Sequence, residues 1–174
     1  MENKNQKEIK YPYLPADKNI FYVGMDNNFM VEAKEAARLS NDQQQPTGAV
    51  IVCDNKIVSS FSNKNPLTSS FLIKLHKKYC IRHMLKIPSG QKYWVCPGCA
   101  KNESHAESRA AKDFIKNKIS CKNPDLYLWG HWWCCDVCWK NMLKLPINNV
   151  YLLEDSEILF NAKNSNNILG KQFE

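Results

Sequence analysis

The sequence has no run of about 18 apolar residues, which excludes a membrane-spanning helix. Met1–Lys10 is polar and charged and has no apolar stretch of the kind a secretory leader needs, so a cytoplasmic location is expected. There is no internal repeat, no low-complexity tract and no Gly/Ser linker. With 44% apolar and 24% charged residues, collagen-like, mucin-like and wholly disordered chains are excluded. A chain of 174 residues is about one domain long and can build one core. A dense Lys/Arg run is also missing, although the net charge is +7. The excess is dispersed, and it fits either a solvated basic surface or an anionic partner such as a nucleotide phosphate or a nucleic acid.

Cysteine, by contrast, is abundant, with eight residues. In a reducing compartment clustered cysteines more often bind metal or do chemistry than form disulfides. Two pairs have C-x-x-C spacing, Cys96/Cys99 and Cys135/Cys138. Cys53 and Cys121 stand apart and read as ordinary small buried or partly buried residues.

Residues 1–20, with Pro12 and Pro15, are expected to form an extended arm. The main domain is expected over 21–160, with a Cys-rich insert at about 70–100, and 161–174 as a weakly specified tail. A helix is predicted over about 27–40 with Asp26 as its cap. Gly48–Cys53 reads as a buried strand that turns at Asp54-Asn55 into a second strand over Lys56–Phe61. Residues 71–86 suit one amphipathic helix, and His105–Lys118 and Cys135–Leu145 suit two more. Strands are expected at Asp125–Trp129 and Asn149–Leu153. The fold class is therefore α/β, a mixed central sheet of about five strands with helices on its faces.

The strongest chemical signal is His105-Ala106-Glu107 together with Cys135-Asp136-Val137-Cys138. One imidazole and two thiolates meet the ligand count of a catalytic zinc site, which has three protein ligands and an open position for water. Each half of the pattern falls at the start of a predicted helix, where the positive end of the dipole favours thiolates. Glu107 lies near His105 in sequence and is free to carry protons between water and a leaving amine. H-x-E…C-x-x-C is the known signature of zinc nucleobase deaminases.

With these motifs the chain resembles the cytidine/deoxycytidylate deaminase superfamily, and within it the deoxycytidylate (dCMP) deaminase family. Thr47–Val52 followed by Lys56–Ser59 looks like the first hairpin of that family, and Asn63-Lys64-Asn65-Pro66 is similar to its Asn-Gly-x-Pro loop. Cys80-Ile81-Arg82, Ile87-Pro88-Ser89-Gly90 and Cys96-Pro97-Gly98-Cys99 resemble the insert such enzymes carry. The resemblance covers roughly residues 25–153. It implies a cytidine deaminase-like fold, with His105, Cys135 and Cys138 as zinc ligands and Glu107 as proton shuttle. It also implies Asn63 at the sugar and the Ala106 backbone at the pyrimidine edge. Two positions depart from the pattern. Lys64 replaces the loop glycine, which bears on phosphate placement, and Cys134 replaces the proline before the first ligand cysteine. Cys134 thus competes with Cys135 as a ligand, and the two-residue spacing to Cys138 favours Cys135.

Cys80, His83, Cys96 and Cys99 form a second candidate group, with two readings open. They suit a closed structural zinc, with His76 able to stand in for His83, or they are buried free thiols beside a surface histidine. His131-Trp132-Trp133 reads as packing or as base stacking at a pocket mouth. The activity the resemblance implies is zinc-dependent hydrolysis of dCMP to dUMP and ammonia, on a small-molecule nucleotide, by a homo-oligomer without membrane partners. Two alternatives remain: the same site acting on a tRNA or other RNA base, and an inactive zinc-stabilised binding module.

Overall fold

In the computed structural model, residues 9–88 and 90–174 are described. The part of the expected N-terminal arm over 1–8, and Ser89 of the Ile87–Gly90 turn, lie outside the described residues. The chain forms a five-stranded sheet of β1 (Ile20–Val23), β2 (Gly48–Cys53), β3 (Lys56–Ser62), β4 (Asp125–Trp129) and β5 (Val150–Leu153), in the order β1-β5-β4-β2-β3. The β2/β3 and β2/β4 pairs are antiparallel, and β4/β5 and β1/β5 are parallel. This is the mixed five-stranded α/β sheet that the strand and helix pattern predicts. The β2/β3 hairpin closes through Asp54 and Asn55, both with positive φ (48° and 60°), as a tight two-residue turn matched to strand twist requires.

Alternation along the strands gives the sheet two apolar faces. Ala49, Ile51, Leu126, Leu128, Val150 and Leu152 point to one face. There they meet α4 (Ala106–Lys116) and α5 (Asp136–Met142), through residues such as Ala110, Phe114, Trp139 and Met142. Val50, Val52, Tyr127, Trp129 and Leu153 point to the other face, against α1 (Asn28–Arg38) and α6 (Ser156–Leu159) with its neighbour Phe160. Helices thus cover both faces. α1 lies so close to β2 that a Cβ on Gly48 would come within 2.0 Å of the Ala33 carbonyl oxygen.

Several local expectations are corrected. The cap of α1 is Asn27, not Asp26, because Asn27 takes the extended backbone and its side chain accepts from the amides of Phe29 and Met30. The single helix expected over 71–86 is two, α2 (Ser70–Lys78) and α3 (Ile81–Met84), interrupted at Tyr79-Cys80. The end of the arm is β1, paired to β5, and Tyr11, Tyr13 and Leu14 before it pack on the core. The Tyr11 hydroxyl is hydrogen-bonded to that of Tyr22. The tail is fixed as well. Ile168, Leu169 and Phe173 pack on the second face, with the Arg38 guanidinium 4.8 Å from the Phe173 ring centre.

Cys53 and Cys121 are not ordinary thiols. They form a disulfide that ties the end of β2 to the loop after α4, across a sequence separation of 68 residues. A link over so long a loop restricts the unfolded chain strongly. Reducing it, or replacing both residues by serine, is expected to lower stability by about 2–4 kcal/mol in urea unfolding.

Candidate functional site

Both halves of the chemical motif start helices on the same face of the sheet. His105 is the N-cap of α4 and Cys135 the N-cap of α5, each with extended backbone and neither using its side chain as a cap. Both side chains are therefore free to turn toward the gap between the helices. Cys138 lies in the first turn of α5 and reaches the same point. The Nδ1 atom of His105 is 3.4 Å from Cys138 Sγ and 3.8 Å from Cys135 Sγ. The donor atoms of the three residues all lie within 4.8 Å of one another. Cys134, the alternative to Cys135, is outside the group. Its thiol is fully buried and faces Glu107, and burial and the Glu107 charge together push its pKa well up.

The electrostatics follow from burial and neighbours. Glu107 is only 3% exposed, and burial raises its pKa above the usual carboxylate range, while His105 pulls the other way. The Cys135 thiol is held down to about 4 by its hydrogen bonds with Cys138 and His105, while Cys138 is pushed up by that same pairing and by burial. His131 is driven down to about 3 by burial and by the charge of His105. It is a neutral ring whose Nδ1 accepts from the amides of Trp132 and Trp133, at 3.1 and 3.3 Å.

A supporting relay was not anticipated from the sequence. Lys144 Nζ donates to Asn141 Oδ1 (3.1 Å), Asn141 Nδ2 to Ser108 Oγ (3.1 Å), and Ser108 Oγ to Cys138 Sγ (3.4 Å). Its sequence signal is helical spacing, with 138, 141 and 144 following one another along α5 and its end and 108 one turn after 105. Such outer partners orient metal ligands and tune them.

Ala106 and Asn63 are both buried. Ala106 is buried at the first position of α4, where no carbonyl of the helix reaches its amide. Asn63 is buried, and its amide is engaged at both ends. Its oxygen accepts from Ser40 Oγ (2.6 Å) and the Thr47 amide (2.9 Å), and its nitrogen donates to the Gln45 carbonyl (3.0 Å) and to Asp42 Oδ2 (3.4 Å). Asn63 thus acts as a strut for the loop. Asp42 is a half-buried carboxyl that the sequence did not single out, its pKa raised by desolvation. Lys64 beside it is exposed.

In the insert, Cys80, Cys96 and Cys99 converge as expected, but the histidine with them is His76 rather than His83. Cys99 Sγ is 3.5 Å from His76 Nε2 and 3.4 Å from Cys80 Sγ. The break at Tyr79-Cys80 turns His83 outward, where it is exposed.

A family model for the cytidine and deoxycytidylate deaminase zinc-binding region matches residues 24–154, well over half of the chain. The chain belongs to this family. It is therefore a deaminase-family hydrolase, and its His/Cys groups have the composition that binds Zn2+. Among solved structures, a dCMP deaminase from the cyanophage S-TIM5 in apo form is 20% identical. It covers 76% of this chain and 86% of its own, with a TM-score of 0.46. A tRNA:A34 deaminase studied for A-to-I editing at the wobble position is 17% identical, covering 72% and 75%, with a TM-score of 0.41. Guanine deaminase from Bacillus subtilis is 19% identical, covering 71% and 60%, with a TM-score of 0.40. No curated protein sequence matches the chain. Among the described residues, no helix is long and apolar enough to cross a membrane.

The thiol assignments are testable in metal-free protein. A lowered pKa keeps Cys135 a thiolate as pH falls from 8 to 6, whereas the raised pKa of Cys134 keeps it protonated throughout. Iodoacetamide at pH 6, mapped by peptide mass, is expected to label Cys135 ahead of Cys134 and Cys138, with a rate almost flat over that range.

Proposed function

We propose that the protein hydrolyses a cytosine nucleotide, dCMP to dUMP with release of ammonia, with zinc held by His105, Cys135 and Cys138. The observation that carries this reading is the convergence of those three donors beside a buried Glu107. The donor set fits zinc, since an imidazole and two thiols count three and leave one position of a tetrahedral ion for water. A zinc ion bound there supplies water of lowered pKa near neutrality.

The remaining work falls to the chain. Glu107, buried and with a raised pKa, accepts a proton from water. It returns that proton to N3 of the ring, then takes the second proton of the added water from the oxygen on C4 and gives it to the amine, so that the C4–N bond breaks, the C4 carbonyl forms and ammonia leaves. The Ala106 amide at the helix start is a donor for the pyrimidine edge. The loop built on Asn63 is the sugar side, and the exposed Lys64 is available to the 5′-phosphate. The four residues of the insert are read as a second, structural zinc centre. Self-association belongs to the same reading. The basic excess, +7, favours a nucleic-acid base as the second choice of substrate.

Zinc-loaded protein offered dCMP, CMP, deoxycytidine, cytidine and dCTP, followed by ultraviolet absorbance, is expected to convert dCMP best. Glu107→Gln is expected to lower the rate by about a thousandfold, the scale of a lost general acid–base. Absence of conversion of all five by protein that retains its zinc overturns the reading and directs the assay to tRNA. Metal analysis is expected to give two zinc ions per chain, and one in Cys96→Ser.

A further inference from the structure

The insert has almost no hydrophobic core of its own. None of the residues of α2 is buried, and Phe71, Leu72, Leu75, Met84, Leu85 and Trp94 are exposed. The apolar cluster that the insert does contain is Cys80, Cys96 and Cys99, with Tyr93 packed against it. Three thiols are too little apolar surface to fold 30 residues, roughly, without a metal to bind them. The site is nonetheless built to close. A Cβ on Gly98 would lie 2.4 Å from Cδ2 of His76, so only glycine lets the imidazole approach Cys99. Three thiolates and a neutral imidazole around a divalent ion carry one net negative charge, and that charge would be buried.

Arg82 is the matching cation. It is 6% exposed, and no carboxylate pairs with it among the described residues. Its guanidinium donates to the carbonyls of Gln91 (Nε, 3.1 Å) and Pro88 (Nη2, 2.7 Å) and to Cys99 Sγ (Nη1, 3.7 Å). A buried guanidinium without an anion is costly, and the thiolate cluster is the anion within reach. The guanidinium also lies 4.0 Å from the centre of the Tyr93 ring. Tyr93 in turn stands edge-on to the imidazole of His105, with ring centres 5.1 Å apart and an interplanar angle of 81°. Its hydroxyl accepts from the Gly90 amide at 3.0 Å. At Gly90 the insert touches the other side of the site, since a Cβ there would meet Trp133 at 3.3 Å and Cys135 Cβ at 3.5 Å.

We propose that Arg82 and Tyr93 are positioning residues that couple the two metal centres. Arg82 supplies the counter-charge of the insert centre and fixes Tyr93, and Tyr93 holds the imidazole of His105 in the orientation the catalytic cluster needs. The proposal rests on reading the His105 group as the catalytic zinc site and the His76 group as a structural one. It makes the metal of the insert a condition for full activity without placing it at the substrate.

The test follows zinc release to a chromophoric chelator alongside kcat and KM for dCMP. Loss of an outer partner of a metal ligand changes affinity or activity by about ten- to a hundredfold. Arg82→Met is expected to release one of two zinc ions about tenfold faster and to lower kcat about tenfold, with KM nearly unchanged. Arg82→Lys keeps the charge but not the planar fork, so it is expected to retain the zinc while kcat stays low. Tyr93→Leu is expected to retain both ions and lose about tenfold in kcat, and Tyr93→Phe, which keeps the ring edge, to recover most of it. In cobalt-substituted protein, the visible bands of the catalytic centre are expected to shift in Tyr93→Leu and not in Tyr93→Phe. Wild-type zinc release in Arg82→Met, or wild-type kcat and cobalt bands in Tyr93→Leu, overturns the proposal. Should Arg82→Met not fold, the Tyr93 pair decides. Should dCMP prove not to be the substrate, zinc release and the cobalt bands still decide, so that failure of the activity reading and failure of this one are told apart.

Discussion

The structure depends on one convergence, that of two helix starts on the same face of one sheet. α4 follows the Cys-rich insert and α5 is the element after β4, and both pack on the face formed by Ile51, Leu126, Leu128 and Leu152. The parallel β4/β5 pair needs a crossover between its strands, and α5 is that crossover. Burial of Trp139, Met142, Ala110 and Phe114 fixes both helices against the sheet. Three donor atoms held on capping and first-turn positions of two anchored helices have little freedom left. That preorganisation is what a metal site on a rigid scaffold requires.

Around that point burial and neighbouring groups set the charges. Glu107 is buried and pushed toward its neutral form, while Cys135 is pulled toward the thiolate. His131 is kept uncharged and binds backbone instead, so it adds no positive charge beside His105. Cys134, at the position where the family has proline, packs its thiol against Glu107 and stays out of the ligand set. The relay from Lys144 to Cys138 stiffens the back of the site. The insert stiffens its front, through Arg82 and Tyr93.

Much of this was legible in the sequence, for reasons that differ by element. The hairpin was plain because an apolar run meets Asp54-Asn55, two residues that tolerate left-handed backbone. The His105, Cys135 and Cys138 group was plain because H-x-E…C-x-x-C is a known signature, although His105 and Cys135 lie 30 residues apart and only the sheet brings their helix starts together. β1 was not legible, since a four-residue strand after a proline-bearing arm has no periodicity to show and gains its order from β5. The sequence favours His83 over His76 because Cys80-x-x-His83 repeats the two-residue spacing of Cys96 and Cys99, with His76 as a substitute on the same predicted helix. In one continuous helix, residues seven apart share a face, and the break at Tyr79-Cys80 removes that equivalence. The pairing of Cys53 with Cys121 leaves no local trace, because it joins elements that only the sheet brings together. The double engagement of Asn63 was also hidden, since its partners come from a loop without pattern.

The central claim is that His105, Cys135 and Cys138 form one metal centre beside Glu107. The most direct measurement is anomalous diffraction at the zinc absorption edge from crystals grown with zinc. The account predicts a peak at about 2.0–2.3 Å from His105 Nδ1 and from the sulfurs of Cys135 and Cys138. A zinc-bearing crystal with no peak there, or with Cys134 as the ligand in place of Cys135, would contradict it.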